Sequence, residues 1–527
     1  MAQSRLKLFP IQLGVPPGLV KNKPAYLLPD GAYQDMLNAK MLNGTLKKAF
    51  GWKVFDDTAL DSRIMHIDQL FLASGSDHLV VYTIDKMWRW NPGTSAFVDI
   101  TGVAFTGDAD NILIADAGFD LIVAANDIDA VRKWSGTGNE AVLGGLTDVE
   151  FLDGSGTIAV TTAAAIRFFK NFFVLLNVTE NGDRKPSRVR WSRLGLPENW
   201  KNTAGGAGQA GAADIGSVDW ILTGERLGDT LVIYKERSIW LMTYVGPPTI
   251  MAFREKIGGL GIVGAKAVAS LGDEHLIVGN DDIYFFNGET VESVGENVRK
   301  YFFDNVDPSE ISKTYIFIAE EDNEAVIAFV STGSTNAIFD KGIVYNYLEK
   351  TWTLRELAHT AFGYYRRTEN LTWADAGGTL DDPEEPGTWD ERVFLDNAPL
   401  NLLGTNGGYI HQIDGVSKDG TALEMTATTK LYDFGAPQNY KRLQRIQVMA
   451  NQQSQYNLTI EVGTSENMND DPTWHGPFTY DLSVPTSPFI DLDVSGRFFT
   501  FRISQDGLDQ DVTVTALICY YMLKGTK

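Results

Sequence analysis

The chain has 527 residues, with 45 basic and 68 acidic side chains and a formal net charge of −23. Affinity for DNA comes mainly from neutralising phosphates, so this balance argues against a general nucleic-acid-binding protein. Hydrophobic residues make up 44% of the chain and aromatic residues 11%. That composition is ample for a large buried core and excludes a disordered chain.

The N-terminal segment, residues 1–62, is predicted to form an extended arm and a β-hairpin platform. Asn43-Gly44 stands between β-compatible runs, which is a strong signal for a tight hairpin turn. From Met1 to Phe55 the chain carries eight basic residues and two acidic ones. This basic stretch is either a docking site for an acidic partner or an ordinary fluctuation in charge. The stretch MAQSRLKLFPIQLGVPPG lacks the apolar core of a secretory signal.

An internal repeat organises the middle of the chain. "LVVYTIDKMW" (Leu79–Trp88) matches "LVIYKERSIW" (Leu231–Trp240), and weaker copies carry aromatics at positions 134, 191, 285 and 352. Successive aromatics are 45 to 67 residues apart, whereas four-stranded propeller blades repeat every 40 to 50 residues or so. Stacking blades radially buries the two faces of each sheet and leaves short edges.

Residues 63–413 are therefore predicted to form a β-propeller with six blades, or with seven as the alternative. The strand "GGYIHQI" (Gly407–Ile413) follows the last repeat and is expected to help close the ring. Lys235-Glu236-Arg237 falls where every repeat has a polar turn, so we interpret it as the tip of the fourth blade's hairpin. Trp240 is expected to pack between blades.

Residues 414–527 show a different pattern, which predicts an antiparallel β-sandwich. Apolar residues alternate with polar ones in three stretches. These are Leu458/Ile460/Val462, Phe499/Phe501/Ile503 and Val512/Val514/Ala516/Ile518/Tyr520. The fold class predicted for the whole chain is all-β.

The sequence offers no catalytic, cofactor-binding or metal-binding residue that we would assign. The six histidines (66, 78, 275, 359, 411 and 475) show no zinc-ligand spacing. Gly206–Gly211 spells GxGxxG but lacks the strand before it and the helix after it. No GxSxG element occurs, and Cys519, the single cysteine, lies in an apolar strand. The expectation is a protein that is not an enzyme, made in a reducing cytoplasm.

The loop Asp375–Asp396 holds eight carboxylates and one arginine, Arg392. Such a loop could be a solvated acidic surface, a metal site or a catalytic element, but its spacing matches no calcium loop. A solvated surface is the interpretation we favour.

Five stretches resemble the tail hub or nozzle proteins of short-tailed (podovirus-like) bacteriophages. They keep their order along the chain: Asp35–Trp52, Asp229–Val263, Glu274–Phe303, Gly342–Leu357 and Ser495–Ser504. The resemblance implies a virion structural protein that forms a ring, expected to be a homo-hexamer, below the portal and its adaptor. It also implies that genome DNA passes along the ring axis without specific binding, and that the propeller offers sites to tail fibres or spikes. The family brings no cofactor.

The expected location is thus the virion tail, after assembly in a bacterial cytoplasm. Surplus negative charge would suit a channel that must not retain DNA. Two alternatives stay open. One is a receptor-binding module that uses exposed aromatics of the sandwich such as Trp474. The other is a propeller glycan hydrolase, with Glu384 or Glu385 beside an arginine.

Overall fold

The computed structural model describes residues 6–150, 156–201, 209–216, 219–366, 399–451, 456–483 and 489–525. Within these ranges the chain is almost entirely β-structure, with one short α-helix, α1, at Arg299–Asn305. Short runs of β-branched and aromatic residues bounded by Gly, Asn and Asp form the strands, as expected of such sequences. The all-β prediction is confirmed.

Six strands lie in the N-terminal segment. They are β1 Lys7–Gln12, β2 Gly18–Leu19, β3 Ala32–Leu37, β4 Ala39–Leu42, β5 Thr45–Lys48 and β6 Trp52–Asp56. The Asn43-Gly44 turn joins β4 to β5, and both of its residues have positive φ (51° and 74°), as a tight hairpin of this kind requires.

The first three blades are four-stranded antiparallel sheets, each with its first strand at the inner end of the sheet. Blade one contains β7 Ile64–Phe71, β8 Asp77–Thr83, β9 Met87–Asn91 and β10 Ala96–Asp99. Blade two contains β11 Ile114–Gly118, β12 Leu121–Ala125, β13 Arg132–Trp134 and β14 Ala141–Val142. A two-stranded ribbon follows, β15 Val149–Glu150 and β16 Thr157–Ile158. Blade three contains β17 Val160–Phe169, β18 Phe172–Glu180, β19 Asp183–Trp191 and β20 Gly211–Asp214.

The next three blades repeat this plan. Blade four contains β21 Ile221–Leu227, β22 Thr230–Lys235, β23 Ser238–Gly246 and β24 Ile250–Gly258. Blade five contains β25 Val268–Ser270, β26 His275–Val278, β27 Ile283–Phe286 and β28 Val291–Ser293. Blade six contains β29 Tyr315–Ala319, β30 Glu324–Phe329, β31 Phe339–Asn346 and β32 Thr351–His359.

Blade seven is assembled from both ends of the propeller segment. Its strands β33 Ala361–Tyr365, β34 Leu400–Gly404 and β35 Ile410–Ile413 are completed by β6, which pairs antiparallel with β35. Inner strand β33 packs against β7 of blade one, so the ring is closed. The propeller therefore has seven blades, the alternative count, and the predicted strand Gly407–Ile413 does help to close it. We call the pairing of β6 with β35 the closure.

Each pair of neighbouring blades shares an apolar core, which explains why the blades stack. Seven such clusters join consecutive blades around the ring, including one between blades seven and one that contains Ile67, Leu79 and Leu402. Trp240 packs against the cluster between blades three and four, as predicted for a residue between blades.

The C-terminal strands form a two-sheet sandwich. They are β36 Ser417–Lys418, β37 Thr421–Ala422, β38 Met425–Thr429, β39 Lys441–Ala450, β40 Asn457–Ser465, β41 Thr473–Asp481, β42 Phe489–Gly496, β43 Phe498–Gln505 and β44 Thr513–Leu523. One layer, which we call sheet A, has the order β4-β5-β44-β39-β42, with β1 also paired to β44. The hairpin β36–β37 instead lies beside β6 in the sheet of blade seven.

The other layer is continuous with the propeller. Its ten-stranded sheet runs β29-β30-β31-β32-β2-β3-β38-β43-β40-β41, so blade six continues directly into the sandwich. The joint is a parallel pairing of β2 with β32, at Gly18 and Trp352, and of β3 with β32. We call this joint the seam. The N-terminal segment is thus distributed over the sandwich, the seam and the closure rather than set apart as one platform.

The predicted alternation in the sandwich is confirmed in two strands and interrupted in the third. Leu458, Ile460 and Val462 are fully buried, and so are Phe499, Phe501 and Ile503. In β44 a register irregularity between Val514 and Ala516 switches the faces. Val512 and Val514 point into the core, but beyond the irregularity Leu517 and Cys519 are the buried residues, and Ile518 and Tyr520 face outward.

Candidate functional site

The inner strands bring polar side chains from several blades to the propeller axis. We call this group the axial cluster. Its members are His66 and Asp68 of blade one, Asp116 of blade two, Arg167 of blade three, Glu225 and Arg226 of blade four, Lys266 just before blade five, and Tyr315 of blade six. These titratable side chains come from separate stretches of the chain.

One half of the axial cluster spans the axis from blade five to blade one. The Lys266 Nζ donates a hydrogen bond to the Met65 carbonyl at 3.1 Å and lies 3.5 Å from His66 Nδ1. The same ammonium sits 4.8 Å from the centre of the Tyr315 ring. On the far side of the imidazole, His66 Nε2 is 4.0 Å from an Asp68 carboxylate oxygen. Because blades one and five are not neighbours, these contacts cross the central opening.

The other half braces blades two, three and four. Arg226 pairs with Asp116 at 3.3 Å, and Asp116 accepts a hydrogen bond from the Phe168 amide at 2.8 Å. The Arg167 guanidinium donates to the Gly224 carbonyl at 2.5 Å and to the Thr223 hydroxyl at 3.2 Å. Its hydrogen-bonding capacity is thus largely used within the protein, in joining blade three to blade four.

Burial changes the titration of the axial cluster. It raises the pKa of Asp68 to about 7 and lowers the pKa of Lys266 to about 7, the latter with a further contribution from the Arg167 charge. Burial also holds the pKa of His66 well below its usual value, and Lys266 and Arg167 add to that effect. Three neighbouring groups thus resist carrying charge, as expected of polar side chains enclosed by a packed ring.

The geometry supports a structural role for the axial cluster. Side chains from non-neighbouring blades meet across the axis, so at this level the axis is crossed by protein. Among the described residues, no group of three or more His, Cys, Asp or Glu side chains is arranged to hold a metal ion. The cluster can brace the ring through its hydrogen bonds and its Arg226–Asp116 ion pair.

Lys235-Glu236-Arg237 lies where the sequence predicted it, at the turn between β22 and β23 of the fourth blade. The sequence did not reveal that Lys235 is fully buried. Its Nζ lies 3.0 Å from an Asp219 carboxylate oxygen and also donates to the Ile215 and Gly216 carbonyls. This lysine anchors the connection that enters blade four.

The six histidines lie at separate places in the fold, apart from one pair. His359 and His411 share a hydrogen bond of 3.1 Å beside the closure. His275 is fully buried between the Tyr234 hydroxyl and the Arg226 carbonyl, at 2.8 Å from each. His78 packs on Trp134, and His475 hydrogen-bonds the Thr464 hydroxyl.

Some of the remaining predicted features lie within the described residues, and others lie outside them. The acidic loop Asp375–Asp396 lies outside the described residues, and so do positions 206–208 of the GxGxxG stretch. Trp474 is partly buried, and one face of its ring is covered by the Arg502 guanidinium, 3.9 Å from the ring centre. Cys519 is fully buried, and burial raises the pKa of its thiol, which disfavours the nucleophilic thiolate.

Sequence reasoning missed the axial cluster. A signal for it exists: charged residues interrupt otherwise apolar inner strands in "MHIDQLF", "IADAG", "AAAIRFF" and "TGERL". The charges differ in type and position from one repeat to the next, so alignment of the repeats does not bring them together. Their proximity comes from ring closure.

Comparisons with known proteins give structural likeness alone. No family model matches the chain. No curated protein matches it either. Among solved structures, the computationally designed Ika8 protein aligns with 12% identity and a TM-score of 0.35, covering 69% of this chain and 99% of that one. The Neurospora crassa Pan2 WD40 domain aligns with 7% identity and a TM-score of 0.37, covering 69% and 95%. Likeness this distant carries no functional argument. Within the described ranges, no helix has the length and apolar character needed to cross a membrane.

Proposed function

We propose that this chain is a structural subunit of a bacteriophage tail, forming a ring below the portal and its adaptor. The observation that carries the proposal is the ten-stranded sheet that joins blade six to the sandwich. A propeller attached through a shared sheet and a shared core cannot swing on a linker, so the two parts act as one rigid piece. Rigid subunits of this kind suit a ring built below a portal.

The five stretches that resemble tail nozzle proteins fall on this same framework. They cover the end of β3, all of β4 and β5, and the first residue of β6. They also cover β22 to β24 of blade four, β26 to β28 of blade five with part of α1, parts of β31 and β32 of blade six, and most of β43 of the sandwich. The resemblance therefore covers parts of the propeller, the seam and the sandwich. This favours a shared architecture over the reuse of one isolated motif.

In this proposal the DNA path lies along the axis of the assembled ring and not along the propeller axis. Lys266 and Arg226 reach across the propeller opening to blades one and two. The propellers would then stand outside the channel and present attachment sites for tail fibres or spikes. We infer no catalytic activity and no cofactor.

The test is the mass of the purified full chain, alone and with the adjacent adaptor protein, by native mass spectrometry, together with protein analysis of virions. We expect a closed ring, most simply six copies, once the adaptor is present, and the chain as a component of the particle. A chain that remains monomeric under all these conditions and is absent from particles would disprove the proposal.

The two alternatives gain no specific support. A carbohydrate site at Trp474 would need an open ring face, and Arg502 covers one face of that ring. A hydrolase would need a carboxylate pair with an open approach, and Glu384 and Glu385, the residues expected to supply it, lie outside the described residues.

A further inference from the structure

Sheet A has an inward face that belongs to the sandwich core and an outward face set by the same strand register. Ile11, Leu517 and Ile446 point inward and are buried. Leu8 lies opposite Tyr520, Tyr520 opposite Arg445, and Arg445 opposite Asp491. These four side chains form one row across β1, β44, β39 and β42 on the outward face.

The outward face exposes several large apolar side chains. Leu6 is 52% exposed, Leu8 59% and Met449 45%. Ile518, Tyr520 and Phe489 lie between them and are partly exposed. Aromatic residues, Met and Arg are enriched at protein interfaces, where Lys, Glu, Asp and Ser are depleted. The outward positions of these four described strands hold no Lys and no Glu, but they include Asp491, Asp493 and Ser495, so their composition matches that of an interface in part.

The ion pairs on this face offset each other. Arg442 pairs with Asp493, with its Nε 2.5 Å from a carboxylate oxygen, and Arg445 pairs with Asp491 at 2.6 Å. Lys524, just beyond β44, adds one positive charge beside Ser495 and Asp493. The whole chain carries −23, so two copies repel each other over most of their surfaces. The outward face of sheet A has no surplus negative charge and does not add to that repulsion.

We propose that the outward face of sheet A is a contact surface for a second copy of this chain. A partner recruited by electrostatic attraction would be basic and would find no surplus negative charge here. A second copy presents the same face without surplus negative charge and buries the same exposed leucines. Two sheets pack face to face at a separation of about 10 Å, which suits this arrangement.

The size of the face sets the strength of the contact. Four strands about 4.8 Å apart and about seven residues long at about 3.4 Å each give an area of about 450 Å² per copy. Stable complexes bury about 800 Å² per partner, and smaller contacts are weak and transient. The pair is therefore reversible and concentration-dependent.

This contact is separate from the ring of the proposed function. A face that meets its own copy is isologous and closes at two chains, whereas a ring needs two different surfaces that meet head to tail. The inference does not depend on the ring, and either can fail while the other stands.

The experiment is sedimentation velocity on the full chain over a wide range of concentration. The variants are Leu8→Glu, Met449→Glu and a matched control, Leu348→Glu. Leu348 is 64% exposed and lies at the turn between β31 and β32, which touches the β4–β5 turn but lies outside strands β1, β44, β39 and β42. We expect wild type and the control to show the same monomer–dimer equilibrium. Each sheet A variant should weaken dimerisation at least tenfold, because pairing would bury an unpaired carboxylate.

Thermal melting of each variant shows whether the monomer is still folded. We expect it to be folded, because Leu8 and Leu348 are highly exposed. Two different substitutions keep the test decisive if one of them fails to fold. The inference is overturned if wild type shows no concentration-dependent pairing. It is equally overturned if the sheet A variants pair as well as Leu348→Glu does, whatever larger species are also present.

Discussion

The same N-terminal segment makes two joints, the seam and the closure, and the two are built differently. At the seam, β2 and β3 lie between blade six and the sandwich, in a continuous apolar core that includes Trp352, Tyr33 and Met36. At the closure, β6 completes blade seven beside the hydrogen-bonded pair His359 and His411. One joint relies on apolar burial, and the other places polar, titratable groups next to its final strand.

The difference shows how one chain can contain two joints, the seam and the closure, that respond differently to pH and salt. Apolar burial is insensitive to pH and salt, whereas buried imidazoles respond to pH and exposed ion pairs respond to salt. The seam is expected to hold the propeller and sandwich together over a wide range of conditions. The closure is expected to be where the ring first responds to acid.

The largest expected effect is at the seam. Trp352 is 2% exposed and stacks near Tyr345, with ring centres 4.6 Å apart. Trp352→Ala should lower the free energy of unfolding by about 3 to 5 kcal/mol, through lost burial and a residual cavity. Chemical unfolding at neutral pH measures this. A loss below about 1 kcal/mol would show that the seam does not depend on its apolar core.

At the closure, adding a single methyl group at Gly51 should destabilise the structure locally. An alanine Cβ at Gly51 would stand 1.8 Å from the Ser417 carbonyl oxygen. Gly51→Ala should therefore cost about 1 to 3 kcal/mol by overpacking. Faster hydrogen exchange in β6 and β35 would locate the loss.

A nearby glycine serves as the control for that substitution. At Gly407 the nearest atom to a new Cβ is 3.6 Å away, an ordinary contact. Gly407→Ala should leave exchange in β6 and β35 unchanged. Equal effects of the two substitutions would mean that the Ser417 contact is not the cause.

Acid should weaken the closure more than the seam. Burial lowers the pKa of His359 to about 3, with His411 contributing, and burial also lowers the pKa of His411. Because the folded state keeps these imidazoles neutral, the unfolded chain binds more protons below its own pKa of about 6.5, and stability falls as pH falls. At pH 5.5 the His359 contribution is a loss of about 1.4 kcal/mol.

His359→Gln isolates this contribution from groups with the opposite dependence, such as Asp68. The difference in stability between wild type and His359→Gln should shift by about that amount between pH 7.5 and 5.5. Trp352→Ala should keep the wild-type pH dependence. If His359→Gln also kept it, the histidine pair would not be the acid-sensitive part of the closure.

The smallest expected effect concerns the ion pair of Lys53 in β6 with Asp414. Both side chains are about half exposed, at 57% and 45%. Lys53→Met should change the free energy of unfolding by less than about 1 kcal/mol, and the difference should fall further at high salt. Unfolding at low and high salt measures it. A larger, salt-independent loss would mean that the lysine stem, not its charge, holds β6.

Local patterns in the sequence predicted the propeller. The predictions were less accurate where segments distant in the sequence combine. Leu79–Trp88 and Leu231–Trp240 marked blades one and four because each is a continuous hairpin. Blade seven escaped the count of repeats because its fourth strand, β6, comes more than 350 residues before β35. Alternation predicted β40 and β43 correctly, but a bulge in β44 moved Ile518 and Tyr520 to the outward face, which periodicity alone cannot detect.

The candidate site was less predictable than the fold. Lys235 was correctly placed at a turn, yet its burial against Asp219 depends on a connection from blade three. The axial cluster forms because side chains from the inner strands of several blades turn toward one axis. No spacing in the sequence indicates which side chains do so. His359 and His411 meet across 52 residues for the same reason.

The distribution of the N-terminal strands also fixes an order in time. β1 pairs with β44, and β6 pairs with β35. Neither early strand can form these hydrogen bonds until its later partner has been synthesised. About 500 residues separate β1 from β44, which at about 5 to 20 residues per second is roughly 25 to 100 seconds of synthesis. During that interval Leu8 and the other apolar residues of β1 lack the strand that pairs with them. Protection of nascent chains is therefore a requirement that this topology imposes on the cell that makes it.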